Sequence, residues 1–167
     1  MIDKVCQICG RPFDLNVHHM TYKNVPFEKM GDLITVCKNC HSKIEAKKYN
    51  AGSDSFDIVN DLIAMQFCQE NLSNDLSGRG KIDFCKTEVI KQHFLPYLKQ
   101  HGGCLDRPRS NTIQAFFRDR RYKIIEGFID RGYPEYICYK QTLFSRAMIH
   151  KVYTEYKKQE EEENAET

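Results

Sequence analysis

The chain has 167 residues, with 25 Lys and Arg against 23 Asp and Glu, a formal net charge of +2 and a hydrophobic fraction of 41%, the profile of an ordinary soluble protein. Collagen-like, fully disordered and membrane-spanning classes are excluded, because no run approaches the roughly 18 apolar residues that a membrane helix needs. The polar start Met1-Ile2-Asp3-Lys4 has no apolar stretch behind it to act as a signal peptide, so the expected location is the cytoplasm.

Residues 1–50 are cysteine-bounded and hold too few periodic apolar positions for a self-sufficient core, so a staple has to supply their stability. From Ser53 to about Asn71, Phe56, Val59, Leu62, Ile63 and Phe67 recur at helical spacing, with Ser53 or Asp54 as the cap. This segment, 51–71, is predicted to pack back on the first unit. The Ser, Asn, Asp and Gly of 72–83 predict a linker or exposed loop. Residues 84–158 are predicted to be mostly α-helical, which makes the fold class α+β overall. Thr87 to about Gln100 is one expected helix, stopped by Gly102-Gly103 and kinked or ended early by Pro96. Ser110-Asn111 caps the next, whose face is Ile113, Phe116, Phe117, Ile124 and Phe128 and which closes near Gly132. A last helix is expected from about Lys140 to Lys158, followed by a disordered acidic tail over 159–167.

The small net charge hides a segmental pattern. Residues 1–50 hold 8 basic and 5 acidic side chains, 51–83 hold 2 and 6, 84–158 hold 15 and 7, and 159–167 hold 5 acids and no base. Two basic segments are thus masked by an acidic helix and tail, and near-neutrality argues nothing against a polyanionic partner.

Eight cysteines divide by placement. Cys6, Cys9, Cys37 and Cys40 form two Cys-x-x-Cys pairs 27 residues apart, whereas Cys68, Cys85, Cys104 and Cys138 stand alone. In a reducing compartment such paired spacing favours a metal over disulfides. Two knuckle-like turns would each offer two thiolates and together close a tetrahedral shell around a structural zinc, with no coordination position left open for catalysis.

Between the pairs lies VHHMTYKNVPFEKMGDLITVCKNCH, residues 17–41. The paired histidines after an apolar residue, the TYKN that follows, the acid-containing loop, GDLITVC and a His directly after the second cysteine pair closely resemble the HNH endonuclease family. The resemblance covers roughly residues 5–45. It implies a ββα-metal fold in which a hairpin delivers His18 and His19, and a helix beginning near the second pair presents His41. It further implies that His19 is the general base, that His18 and His41 hold a catalytic Mg or Mn ion, and that products carry a 5′ phosphate and a 3′ hydroxyl. Asp32 stands where many family members have Asn, the residue that orients the base.

The residue chemistry is consistent with that implication. Phosphodiester hydrolysis needs a base near neutral pH, which imidazole supplies, and a cation to neutralise charge on the transferring phosphate. A carboxylate at position 32 would still accept an imidazole N–H and would raise the pKa of His19. Adjacent strand residues point to opposite faces, so one of the two histidines could instead pack or face solvent. His93, His101 and His150 lack sequence partners and read as surface or helix-face residues.

In RPRSNTIQAFFRDRRYK, 107–123, six Arg or Lys positions interleave with Phe and Tyr. Arg118, Arg120, Arg121 and Lys123 are the expected phosphate contacts, in a setting that would suit a helix-turn-helix-like DNA reader. The combined expectation is a DNA endonuclease of a bacterial or phage-infected cell, with DNA as partner and a homodimer or protein partner possible. The alternatives are a catalytically silent zinc-containing nucleic-acid-binding module and a nuclease subunit active only with a protein partner.

Overall fold

Two short strands pair antiparallel near the start of the chain: β1 (Leu15–His19) and β2 (Leu33–Cys37), with Leu15 opposite Cys37 and His19 opposite Leu33. They belong to a computed structural model that describes residues 4–51, 55–75, 82–142 and 144–166. Every residue of β2 from Ile34 to Cys37 is buried, whereas Asn16 and Val17 of β1 are exposed, so β2 is the covered strand of the hairpin. Helix α1 (Lys38–Ala51) starts directly after Cys37 and buries Cys40 and Ile44, one turn apart on one face. The small ββα unit is therefore present.

Its apolar residues continue into a larger core. Ile34, Val36 and Ile44 join Val59, Ile63 and Phe67 of α2 (Phe56–Glu70), Ile90, Phe94 and Leu98 of α3 (Thr87–Gln100), and Ile113 and Phe117 of α4 (Ser110–Asp130) in one cluster. Phe67 sits at its centre, with ring centroids 5.5 Å from Phe84 and 5.2 Å from Phe94. The second half of α4 contributes Ile125 and Phe128 to a separate cluster with Cys138 of α5 (Glu135–Thr142), Phe144, and Ile149, Val152 and Tyr153 of α6 (Arg146–Ala165). Helix α4 thus ties the two clusters together.

Several elements differ from expectation, each for a local reason. Helix α3 continues through Pro96 to Gln100, since the carbonyl that loses its N–H partner belongs to Gln92, which is solvent-exposed. It stops where Gly102 adopts φ +72° and Gly103 donates to the Leu98 carbonyl at 2.9 Å. A Cβ on Gly103 would lie 2.2 Å from the Leu98 side chain, so that position takes no other residue without movement. The expected single C-terminal helix is two, α5 and α6, because Ser145 caps a new helix by accepting from the Met148 N–H at 3.2 Å. Where a disordered tail was expected, α6 runs to Ala165, with Lys158 reaching Glu162 one turn on, at 3.7 Å. Ser53 and Asp54, the expected caps of α2, lie outside the described residues; the residue before its first turn is Ser55, whose hydroxyl makes no cap bond.

The expected linker is anchored at both ends. Residues 76–81 lie outside the described set, but Asp75 bridges to Ile82 and is fully buried. His101 is also no free surface residue. Its Nδ1 meets the Gln7 carbonyl and its ring stacks on Tyr97 at 4.1 Å, which fastens the first cysteine turn to α3.

Candidate metal centres and active site

The first cysteine pair lies on a tight turn. Gly10 takes φ +74° and donates to the Cys6 carbonyl at 2.7 Å, while the Cys6 N–H reaches Arg11 at 2.8 Å. Gln7 docks this turn on β2 through both its backbone N–H and its side-chain oxygen, each bonded to Thr35, at 2.9 and 2.7 Å. The second pair straddles the junction of β2 and α1. The four sulfurs lie within 4.8 Å of one another, and Cys9 Sγ is 3.7 Å from Cys37 Sγ. A tetrahedral zinc with bonds of about 2.3 Å would place its sulfurs about 3.8 Å apart, so the arrangement fits a structural metal.

Electrostatics point the same way. Burial raises the Cys37 thiol, but the Cys40 backbone N–H and the surrounding thiols pull harder, and the net is a fall to about 7. Burial and the charge of Cys6 push Cys40 upward. Four thiolates this close repel, and a cation is what allows all four to ionise together. The solitary thiols behave differently: burial pushes Cys68 up to about 12 and Cys85 up to about 11, leaving them protonated and inert.

The histidines form a second cluster on the other side of β1. His18 is 2% exposed and points toward α1, where its ring meets that of His41 edge-on at 5.1 Å. One ligand atom each from His18, His41 and Glu45 falls within 4.8 Å of the others. Glu45 was not among the sequence candidates. Its signal was nonetheless available, since a residue four positions after His41 shares its helix face.

Two contacts define the state of His18. Nδ1 lies 3.6 Å from Glu45, and Nε2 lies 3.0 Å from the hydroxyl of buried Ser55. Desolvation, reinforced by His41, lowers its pKa to about 4. The lowered pKa favours a neutral ring, the state a metal ligand requires, and its Nδ1 faces Glu45 while Nε2 is engaged with Ser55. This also explains why Ser55 does not cap α2: its oxygen serves His18.

His19 faces the opposite way and is 33% exposed at its side chain. Its Nε2 lies 3.4 Å from Glu28, and its ring stacks on Tyr22 at 5.2 Å, with the Lys48 ammonium 4.9 Å from the Tyr22 ring. Asp32, expected to orient His19, is engaged elsewhere. Its carboxylate accepts from Asn24 Nδ2 at 2.8 Å and the Lys29 N–H at 2.9 Å, bonds that hold its pKa below the usual range. The carboxylate beside His19 is Glu28, and Asp32 braces the loop that carries it.

The four expected phosphate contacts separate. Arg121 is 3% exposed and forms a bidentate pair with buried Asp75, at 3.1 and 2.5 Å, while its Nη1 reaches Asp83 at 3.0 Å. It pins the ends of the 76–81 segment to α4 and is unavailable to a phosphate, which corrects the expectation. Arg120 leans on the same Asp75 at 3.6 Å. Arg118 and Lys123 are exposed, and Lys123 lines a surface groove of about 490 Å³ with Phe116, Asp119, Arg120 and Ile124. Periodicity marked α4 as amphipathic without revealing that an arginine stands on its buried face.

Among the described residues, no helix is long and apolar enough to cross a membrane. The HNH endonuclease family model matches residues 6–47. A Saccharomyces cerevisiae protein described as "Putative COX1/OXI3 intron 2 protein" is 39% identical over a stretch that spans 28% of this chain and 7% of that relative. No solved structure matches the chain. The family match falls on the segment that holds both candidate ligand clusters, His19 and the loop between the strands. Residues 6–47 are an HNH endonuclease domain.

Proposed function

We propose that the chain is a metal-dependent endonuclease that hydrolyses DNA phosphodiester bonds with His19 as general base. The observation that carries this reading is the meeting of His18, His41 and Glu45 within 4.8 Å, one residue from an accessible imidazole. Two nitrogens and a carboxylate would hold Mg or Mn while leaving coordination positions for water and phosphate. That ion, when bound, supplies charge neutralisation at the phosphate and the departing 3′ oxygen. The four cysteines would hold zinc in a closed shell that serves folding.

The remaining steps belong to the chain's own groups. With Nε2 turned to Glu28, Nδ1 of His19 accepts the proton of the attacking water. Glu28 stabilises the charged ring that results, and the Tyr22 stack restrains its rotation. Asp32 positions Glu28 through Asn24 and Lys29. Exposed Arg118 and Lys123 are the remaining candidates among the four for phosphate contact on α4, with Arg120 at the groove edge.

The test is plasmid cleavage with Mg or Mn by wild type, His19→Ala and His41→Ala. Cutting by wild type and loss in both variants, with zinc content unchanged, is the expected result. Equal cutting by His19→Ala would overturn the assignment of the base. Binding without cutting by wild type would favour the silent module or a nuclease that needs a partner.

A further inference from the structure

The loop between β1 and β2 presents the two most exposed large apolar side chains among the described residues, Phe27 at 85% and Met30 at 71%, with Val25 beside them at 50%. Three large apolar side chains this exposed within six positions of one loop are available for contact with a partner. The loop that holds them is braced: the Met20 N–H donates to the Asp32 carbonyl at 2.8 Å, and Asn24 and Lys29 both bond the Asp32 carboxylate.

Its charges are sorted by direction. Both acids turn inward, Glu28 onto His19 and Asp32 onto the loop's own donors. Both cations, Lys23 and Lys29, are exposed. Apolar tips flanked by outward lysines suit a nucleic-acid groove, where ammonium groups meet phosphates and apolar wedges enter between base steps. A protein-binding face would instead be depleted of lysine at its centre. Phe27 directly precedes the residue that holds His19, so the tip and the base form one piece.

We infer that Phe27 and Met30 are a wedge that enters the duplex groove beside the scissile phosphate and unstacks a base step. This rests on the nuclease reading above. The wedge would bend the duplex toward the cluster of His18, His41 and Glu45, which otherwise has to reach a phosphate on a straight helix.

The test compares full-length wild type with Phe27→Ala/Met30→Ala. Both side chains are exposed, so the double variant keeps its core, and zinc content verifies this. Without added Mg or Mn, protein is bound to closed circular plasmid in the presence of a metal-independent topoisomerase. Wild type is expected to shift the topoisomer distribution toward unwinding, and the double variant, at equal bound protein, to leave it unchanged. With Mg added, the variant should cut intact duplex about tenfold or more slowly and recover on duplex carrying a mismatch at the mapped cut step. An equal topoisomer shift, or equal cutting of intact duplex, overturns the wedge and leaves the nuclease reading in place. A wild type that neither binds nor cuts plasmid overturns both. Conversion of a dimer to a monomer by the double variant, with unwinding unchanged, assigns the tip to a second copy of this chain and overturns the wedge.

Discussion

Two ligand clusters share one hairpin and one helix, and they differ in what closes them. The cysteine cluster supplies four sulfurs of one kind, three of them from buried residues, Cys6, Cys37 and Cys40. The histidine cluster supplies two imidazoles and one carboxylate, with Glu45 exposed and His41 half-buried. A closed soft-ligand shell confines its metal to holding the fold, whereas an open nitrogen and oxygen set leaves room for water and phosphate. A single strand–helix junction separates the two clusters, because Cys40 and His41 are neighbours on α1 that belong to different ligand groups.

The sharpest break of this comparison is Cys37→Ser. It is expected to lose zinc and the cooperative melt of the N-terminal unit, a cost on the order of 10 kcal/mol, whereas His41→Ala retains both. Metal content and thermal melting of the two proteins side by side give the answer, and retained zinc in Cys37→Ser would merge the two clusters' roles. Next in size, His19→Ala should reduce cleavage by about 10²- to 10⁴-fold while divalent-ion binding, read by titration calorimetry, is unchanged.

A third expectation concerns pH. The pKa of His18 is lowered to about 4 from about 6.5 when unfolded, so the unfolded chain takes up the proton first. The stability contributed by neutral His18 is complete above about pH 6.5 and is lost as pH falls toward 4, on the order of 3 kcal/mol. Denaturant titrations across that window should show a steeper loss for wild type than for His18→Gln; parallel slopes would mean that His18 titrates normally. The smallest effect is expected from Ser55→Ala, which removes the hydroxyl bonded to His18 Nε2 and should weaken Mg or Mn binding by about 10-fold or somewhat more with zinc retained. Unchanged affinity would show that α2 does not tune the histidine cluster.

Much of the candidate site could be read from spacing because its candidate ligands are local. Cys37, Cys40 and His41 lie within one strand–helix junction, and His18 and His19 are adjacent on β1. Glu45 is equally local, four positions after His41 on the same helix face, and the approach of His18 to α1 is what sets it apart from other exposed helix acids. Ser55 and Glu28 were illegible for a different reason. Their partners lie 37 and 9 positions away, and no periodic pattern encodes a hydroxyl or a carboxylate turned onto a ring. The helices α3 and α4 followed from apolar periodicity, whereas Arg121 was misread because its charge outweighed its place on the buried face.

The sequence by itself determined the two cysteine turns, the paired histidines and the helix that follows them, since local spacing and strand alternation dictate which atoms converge over so short a span. Only the tertiary structure decided what surrounds them. Burial between β1, α1 and α2 lowers the His18 pKa and turns its Nδ1 toward Glu45; a braced loop brings Glu28 rather than Asp32 to His19; and a buried aspartate converts Arg121 from a candidate DNA contact into a pin between α4 and the segment after α2. Each of these depends on desolvation and on pairing between residues distant in the chain, which become defined once the core formed by the hairpin, α1, α2, α3 and α4 has closed.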